Sequence, residues 1–284
     1  MSDFIIIANN TSDLPETLLR DLDITILPLG FNIGETRYTQ MPNKEFYQKI
    51  REGAMPTTNA ASIGEYTDLY EAALQEGRDV LNLVFSSGLS ATYSSAVMAA
   101  EEMREKYPDR KIFVVDTVSA ALGEGMLIRT AAEMRNAGKS IEEVRDWVED
   151  TKLKIQHWFT INDLGHLKRG GRISAAQAVI GGMLGVKPML RVNDAGQLEP
   201  IGKVRGRAAA IEKLVSLVAE NGGNFLNETA YISHSDCEED ALILEKQVKE
   251  KFGVENVVIS CVGPVIGSHT GVGVLALYGL SDKR

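Results

Sequence analysis

The chain has 284 residues, of which 44% are hydrophobic and 24% charged, and this composition is typical of a soluble globular protein. This length favours two domains, because a single hydrophobic core seldom keeps growing beyond about 250–300 residues. The net charge of −9 argues against a nucleic-acid groove or an anionic membrane surface as the main binding partner.

The targeting signals and cysteines of the sequence predict a cytoplasmic protein. The apolar run at residues 4–8 lacks a basic leader and is too short for a signal peptide. No run approaches the ~20 apolar residues that cross a bilayer, so stable membrane insertion is not expected. Cys237 and Cys261 are far apart and lack metal-ligand spacing. We therefore predict neither a disulfide framework nor a metal site, and no cofactor.

Strand and helix patterns alternate along the first half of the chain, as in α/β proteins with mainly parallel sheets. Short apolar runs predict buried strands at residues 4–8, 24–29, 80–85 and 111–115. Apolar residues at helical spacing predict helices at residues 15–22, 43–52, 62–76, 90–107 and 121–137. Ser62 and Ser140 each begin a Ser-x-x-Glu sequence, whose side chains satisfy free amides at a helix start. Helices beginning near both serines are therefore predicted.

The second half of the chain continues with strands and helices. Its predicted helices are residues 140–154, 208–220 and 236–252, and its predicted strands are residues 156–162, 189–192, 198–204, 229–234, 257–262 and 272–280. A glycine-rich loop is predicted at residues 165–174. We place a domain boundary near residue 155, which divides the chain into residues 1–155 and 156–284.

Polar loops follow the predicted strands of the first half, where open α/β sheets usually bind ligands. Residues 86–92 follow the strand at 80–85, and the next helix would direct unpaired backbone amides at an anion. The Ser90 hydroxyl can donate to a carboxylate or phosphate there, although a serine at this position also caps helices without any ligand. Residues 11–15 and 57–59, including Thr58, offer further hydroxyls before predicted helices, with simple capping as the alternative.

Two glycine-rich segments of the second half supply further candidates. Residues 263–273 place His269 among glycines between two apolar strand runs, which predicts a tight loop presenting an imidazole. A core histidine hydrogen-bonded in a turn is the alternative. Residues 167–174 combine two glycines with flanking cations, of which Arg172 is the most interesting, and a solvated charge cluster is the alternative. The apolar run at 178–186 suits either a tunnel wall or plain core packing.

Taken together, these segments resemble the DegV family of fatty-acid-binding proteins, whose members include the acyl-carrying subunits of bacterial fatty acid kinase. The likeness spans essentially the whole chain. It is carried by Thr-Ser-Asp-Leu-Pro at 11–15, Pro-Thr-Thr at 56–58, Ser-Ser-Gly-Leu-Ser-Ala-Thr-Tyr at 86–93, Asp-Thr-Val-Ser-Ala-Ala-Leu-Gly-Glu-Gly at 116–125, and the segments 167–174 and 263–273. Each motif is loose alone, but six in this order are specific.

The resemblance implies both a fold and a site. Residues 1–155 would form a parallel-sheet α/β/α domain and residues 156–284 an α/β domain with a mixed sheet, with a long-chain fatty acid between them. Thr58, Ser90 and His269 would surround the carboxylate, with Arg172 near the same exit. The chain departs from the family pattern after Thr58, where Ser-Gln-Pro is frequent, and at Ala91, where glycine is frequent. The first change removes polar contacts, and the second adds a methyl group beside Ser90.

The resemblance also implies a lipid carrier that is not itself an enzyme. It would present the carboxylate to a separate ATP-dependent fatty acid kinase, which forms an acyl phosphate for phospholipid metabolism. A serine-dependent acyl hydrolase is one alternative, with Ser87 or Ser90 as nucleophile and His269 as base. Asp116 or Asp13 would then orient the imidazole, but the Gly-x-Ser-x-Gly elbow is absent. A pocket for another small anionic metabolite is the third possibility.

Overall fold

The structure is a computed structural model that describes residues 4–174, 185–225 and 228–282. The strands in these ranges are β1 (Phe4–Asn9), β2 (Ile24–Leu27), β3 (Phe31–Ile33), β4 (Thr36–Tyr38), β5 (Thr57–Thr58), β6 (Asp79–Val84), β7 (Ile112–Asp116), β8 (Ile155–Thr160), β9 (Val186–Val192), β10 (Leu198–Arg205), β11 (Thr229–His234), β12 (Asn256–Cys261) and β13 (Leu275–Leu280). The α-helices are α1 (Glu16–Asp21), α2 (Asn43–Arg51), α3 (Ile63–Gln75), α4 (Thr92–Lys106), α5 (Ala121–Asn136), α6 (Ile141–Thr151), α7 (Gly165–Arg169), α8 (Arg207–Glu220), α9 (Glu238–Phe252) and α10 (Pro264–Thr270). Residues 178–184 of the apolar run considered as a tunnel wall lie outside the described residues.

The described strands form three sheets. The four-stranded sheet has the order β2-β1-β6-β7, and all its pairs are parallel. The six-stranded sheet has the order β10-β9-β8-β13-β11-β12, in which β11 and β12 are parallel and the other neighbours antiparallel. The three-stranded sheet is antiparallel, in the order β4-β3-β5. The predicted α/β class, with a parallel sheet first and a mixed sheet second, is confirmed.

Alternating side chains of the strands explain how the helices are layered on the two larger sheets. In β1, Ile5 and Ile7 pack toward α3 and α4, whereas Ile6 faces the opposite side, toward α5 and α6. In β8, Phe159 belongs to that same central cluster, and Trp158 packs with α8 and α9 on the far side. Successive strand residues point to opposite faces, and helices or the central cluster cover both faces. Both of the larger sheets are therefore buried on two sides.

Helix α5 therefore lies between the two larger sheets. A side chain at Gly123 would place its Cβ 2.2 Å from Nε2 of His157, so glycine allows the helix to approach β8 closely. Further along the helix, Arg129 donates to the Tyr231 hydroxyl at 3.2 Å. The six-stranded sheet includes β8, which begins at Ile155. The division into domains near that residue stays a prediction.

Local signals predicted the helix starts well and the smallest elements poorly. Ser62 and Ser140 both form complete capping boxes at the starts of α3 and α6, as predicted. The three-stranded sheet was not predicted, because strands of two or three residues carry too little periodicity to recognise. The predicted loop at 165–174 is partly helical, since α7 occupies its first five residues. None of the helices in the described ranges is both long and apolar enough to cross a bilayer.

Candidate functional site

An apolar cavity lies between the start of α5, helix α10 and the face of the six-stranded sheet that carries β8 and β13. Aliphatic and aromatic side chains dominate its lining, among them Phe85, Leu89, Val265 and Ile266. The volume of the cavity is about 90 Å³. A narrow lining of this composition suits an apolar chain better than a polar metabolite.

The strand register gives the cavity its direction. His157 of β8 pairs with Tyr278 of β13, and Phe159 pairs with Ala276 two residues further along, all four lining the cavity. Val274, before β13, lines it next and leads toward α10. At about 3.3 Å per residue, the stretch from Tyr278 to Val274 spans roughly 13 Å. The cavity therefore follows the strands from His157 and Tyr278 at one end to α10 at the other.

The end at His157 and Tyr278 is closed. These side chains are only 2% and 3% exposed. His157 Nδ1 lies 3.0 Å from the carbonyl oxygen of Ile155, and its ring meets that of Tyr278 edge to face. The Tyr278 hydroxyl donates to Ser233 Oγ at 3.0 Å. Nδ1 of His157 and the Tyr278 hydroxyl thus have hydrogen-bond partners within the protein, as is usual for buried polar groups.

All four of the sequence-predicted site residues line the same cavity. Thr58 comes from β5, Ser90 from the segment before α4, Arg172 from the turn after α7, and His269 from α10. Each is half-buried, in contrast to the closed end. The structure therefore brings together, at the more open end, polar side chains that come from four separate parts of the chain.

His269 and Thr58 form a short hydrogen bond, with 2.7 Å between Nε2 and Oγ1. The other ring nitrogen, Nδ1, is buried and has no hydrogen-bond partner among the described residues. It faces Gly170, where a Cβ would come within 2.2 Å. A proton on Nδ1 would have no acceptor, so the favoured tautomer carries its proton on Nε2 and donates to Thr58. The Thr58 hydroxyl then keeps its own proton for a ligand in the cavity.

The imidazole of His269 is neutral in this environment. Burial, followed by the positive charge of Arg172, lowers its pKa to about 4. At neutral pH the ring therefore acts through hydrogen bonding, and it supplies no positive charge to the cavity.

The prediction that a glycine-rich loop presents His269 is wrong, because His269 lies on helix α10. Pro264 is the first residue of this helix, a position where its missing N–H costs nothing. Gly263 and Gly271 flank the helix, and Gly271 has a φ of 71°, which favours glycine. Gly267 packs against α2, where a Cβ would lie 2.7 Å from the Tyr47 hydroxyl. The glycines therefore bound and pack a helix.

Ser90 combines helix capping with exposure to the cavity. Its Oγ accepts a hydrogen bond from the backbone N–H of Thr92 at 3.2 Å, and the two hydroxyl oxygens are 2.8 Å apart. Helix α4 consequently begins at Thr92, two residues after the predicted start at residue 90. Ser90 can therefore serve both as a helix cap and as a ligand group, because it bonds to Thr92 and also lines the cavity.

Arg172 is anchored to backbone carbonyls. Its Nε and Nη2 donate to the carbonyl oxygen of Leu89 at 3.1 and 2.9 Å, and Nη1 donates to the carbonyl of Gly170. Burial lowers the pKa of the guanidinium from its ordinary value. Because Leu89 immediately precedes Ser90, Arg172 holds the segment that carries Ser90 as well as lining the cavity.

The carboxylates considered for a hydrolase are engaged elsewhere. Asp13 Oδ1 accepts from the backbone N–H of Gly263 at 2.9 Å, and Asp116 Oδ1 accepts from the backbone N–H groups of Ser87 and Val118. Burial raises the pKa of Asp13 to about 8. In the described ranges, no hydrogen bond joins His269 to either carboxylate or to a serine hydroxyl. The contacts expected of a catalytic triad are thus not formed.

Comparison with known proteins places the chain in a family. The model of a family described as uncharacterised DegV-family proteins matches residues 3–281. The chain belongs to the DegV family. A DegV domain-containing protein of Clostridium perfringens is 44% identical over 100% of this chain and 99% of its own length.

Solved structures of DegV proteins share the fold. A DegV family protein from Thermus thermophilus, described by its fatty acid binding, is 33% identical, with a TM-score of 0.87 over 98% of this chain and 99% of its own. A stearic acid-binding protein from Eubacterium ventriosum is 25% identical, with a TM-score of 0.86 over 98% of both chains. DegV proteins of this fold therefore include fatty-acid-binding proteins.

Sequence reasoning missed three residues that support this DegV site. Thr92 lies beside Ser90, Gly170 makes room for His269, and Tyr47 donates to the carbonyl oxygen of Val262 at 2.7 Å, just before α10. The spacing of Thr92 two residues after Ser90 was a usable signal, because paired hydroxyls at a helix start often bond one another or the backbone. Nothing local distinguished Tyr47 from an ordinary core tyrosine.

Proposed function

We propose that this chain binds a long-chain fatty acid and presents its carboxylate to a separate ATP-dependent fatty acid kinase, which forms the acyl phosphate. The observation that carries the proposal is the cavity itself, whose lining is mainly apolar along the strands and gathers four polar side chains near its more open end. At about 0.8 kcal/mol per buried methylene, a sixteen-carbon tail contributes on the order of 10 kcal/mol before ordering costs. The head-group residues then mainly have to orient the carboxylate.

We assign a different role to each polar residue at the open end. The hydroxyls of Thr58 and Ser90 donate to the carboxylate, because both residues line the cavity. Each hydroxyl oxygen accepts a hydrogen bond from a neighbouring side chain, His269 for Thr58 and Thr92 for Ser90, so its own proton is free for the ligand. His269 acts through Thr58 and borders the same group. Arg172 holds Leu89 and lends positive charge near the carboxylate.

A separate kinase is part of the proposal because the sequence lacks the Gly-x-x-x-x-Gly-Lys-Ser/Thr phosphate loop of one nucleotide-binding class. The half-buried position of the polar residues supports access to the carboxylate from outside. We infer that the acid lies between domains of residues 1–155 and 156–284, since cavity-lining residues come from both. The acyl phosphate would serve phospholipid metabolism in the cytoplasm.

Mass spectrometry tests the first half of the proposal. We expect the purified chain to carry one releasable fatty acid, seen as added mass under native conditions and as free acid after denaturation. We expect a tail of about fourteen to eighteen carbons, whose burial contributes on the order of 10 kcal/mol at ~0.8 kcal/mol per methylene. A protein that arrives empty and takes up no acid in this range would contradict lipid binding.

Kinetic assays with ATP test the second part of the proposal, that a separate kinase phosphorylates the bound acid. The isolated chain should release no acyl phosphate and hydrolyse no ester, and acyl phosphate should appear only after a fatty acid kinase subunit is added. Ester turnover by the isolated chain that disappears in Ser90→Ala and His269→Ala would favour the hydrolase instead. Lipid binding without phosphorylation by any such kinase would remove the kinase partnership alone.

A further inference from the structure

Thr92 stands directly behind Ser90 and outside the cavity lining. Its side chain is fully buried, with 0% exposure. The hydroxyl oxygens of Thr92 and Ser90 are 2.8 Å apart, and the backbone N–H of Thr92 donates to Ser90 Oγ at 3.2 Å. A third contact comes from the backbone N–H of Ala61, which donates to Thr92 Oγ1 at 3.4 Å. Thr92 therefore touches Ser90 twice and the segment after Thr58 once.

The direction of the hydrogen bond between the two hydroxyls follows from their surroundings. If Thr92 donates to Ser90, its proton has an acceptor and the Ser90 proton is left for the cavity. If Ser90 donates instead, the buried Thr92 proton has no acceptor among the described contacts. Because an unsatisfied buried donor is costly, the first arrangement is favoured.

This arrangement turns Ser90 into a pure donor toward the cavity. A hydroxyl oxygen has two lone pairs, and here the N–H and the hydroxyl of Thr92 occupy both. Ser90 can then only donate to a ligand. The group that it recognises must offer an acceptor, as each oxygen of an ionised carboxylate does.

Thr92 also links the two segments that carry the proposed carboxylate donors. Its bond from Ala61 connects the start of α4 to the chain three residues after Thr58. Ala61 is itself buried, with 5% exposure. The spacing between the hydroxyls of Ser90 and Thr58 thus depends on a residue that does not line the cavity.

We propose that Thr92 is a positioning residue of the binding site, which directs the Ser90 proton at the carboxylate and fixes the distance between the two donor segments. The inference rests on the proposed binding of a fatty acid. It adds that head-group recognition depends on a buried threonine hydroxyl behind the serine.

A double-mutant cycle on the full chain tests the proposal, with hexadecanoic acid as the probe. Its dissociation constant is measured for wild type, Ser90→Ala, Thr92→Val, the double variant and Thr92→Ser. We expect Ser90→Ala to weaken binding about 10-fold, as loss of a hydrogen bond to a charged group implies, and Thr92→Val to weaken it by no more than that, about 5- to 10-fold. The two losses should be far from additive, with the double variant much closer to Ser90→Ala than to the product of the single effects, since Thr92 acts mainly through Ser90. Thr92→Ser keeps the hydroxyl and should stay within about twofold of wild type.

Two controls separate positioning from general stability. Thr130→Val removes another buried helical hydroxyl, on α5, and should leave the affinity unchanged. Thr92→Ala serves as a second variant if Thr92→Val does not fold, and unfolding midpoints are measured for every variant.

The outcomes distinguish the two levels of inference. Additive effects of Thr92→Val and Ser90→Ala, or a Thr92→Ser variant as weak as Thr92→Val, would overturn the role of Thr92 while leaving lipid binding intact. A wild-type chain that binds no fatty acid would remove the proposed function, and the role of Thr92 with it.

Discussion

The two ends of the cavity are built in different ways. The closed end consists of side chains from neighbouring strands, His157 and Tyr278, whose places follow from strand pairing. The open end gathers Thr58 and His269, which are 211 positions apart, and binds Arg172 to Leu89 across 83 positions. The first end offers apolar area, and the second offers oriented hydrogen-bond donors. We therefore expect affinity to depend mostly on the closed end and head-group orientation on the open end.

Two histidines make the contrast concrete. His157 at the closed end bonds to the carbonyl of Ile155 and packs against Tyr278, so it serves as wall. His269 at the open end bonds to the hydroxyl of Thr58, and both residues line the cavity. The same residue type therefore has opposite uses, and the neighbours of each ring decide which one applies.

The largest effect should come from filling the apolar part of the cavity next to the closed end. Replacing Ala276 by Val, Leu or Phe should weaken binding of hexadecanoic acid in step with side-chain size. Phe should displace the equivalent of about five methylenes, a loss of about 4 kcal/mol at ~0.8 kcal/mol each. Isothermal titration or fluorescent displacement measures the affinity, and circular dichroism checks that each variant folds. A Phe variant with wild-type affinity would show that the tail does not pass Ala276.

Removing a donor at the open end should have a smaller effect on binding. We expect Ser90→Ala to weaken fatty acid binding by about 1–3 kcal/mol, the usual contribution of a hydrogen bond to a charged group. Phosphorylation by the added kinase should fall much further, because the reacting oxygen is misplaced. Affinity and initial rate are measured on the same preparation. Equal losses in affinity and in initial rate would mean that Ser90 supplies only binding energy. The open end would then not orient the head group as we expect.

The protonation of His269 should have the smallest effect on the site, because the ring carries no charge at neutral pH. Since burial lowers its pKa to about 4, the ring should stay neutral from about pH 5.5 upward in the ligand-free protein. Nuclear magnetic resonance of the four histidines, assigned with His269→Gln, should give this ring a midpoint near 4. A midpoint near the ordinary value of 6.5 would contradict the neutral-donor role.

The lowered pKa of His269 also makes the stability of the fold depend on pH. The folded-state pKa of His269 lies below its unfolded value, so the unfolded chain binds the proton more readily between about pH 6.5 and 4. The free energy of unfolding should accordingly fall as the pH drops through this window. The fall should be shallower in His269→Gln, which has no imidazole to protonate. Thermal unfolding at several pH values measures the difference.

Local patterns predicted much of the fold, and their failures share one cause. The capping boxes at Ser62 and Ser140 and the strand β11 appeared where the sequence predicted them. Helix α10 was missed because its glycines suggested a turn, whereas Gly267 is needed for contact with Tyr47 on α2. Such a contact lies beyond the reach of local spacing, which reports only neighbours within a turn or a strand pair.

The sequence by itself determined the α/β order of elements, because strand alternation, helix periodicity and capping depend on residues close in the chain. It also offered the four polar candidates, which the resemblance to a family assigned to one site. Only the tertiary structure decided that Thr58 and His269 share a hydrogen bond, that Arg172 holds Leu89, and that Thr92 stands behind Ser90. Those distances result from packing two sheets around α5. The free energy of that packing is spread over the whole core, so no short segment encodes it.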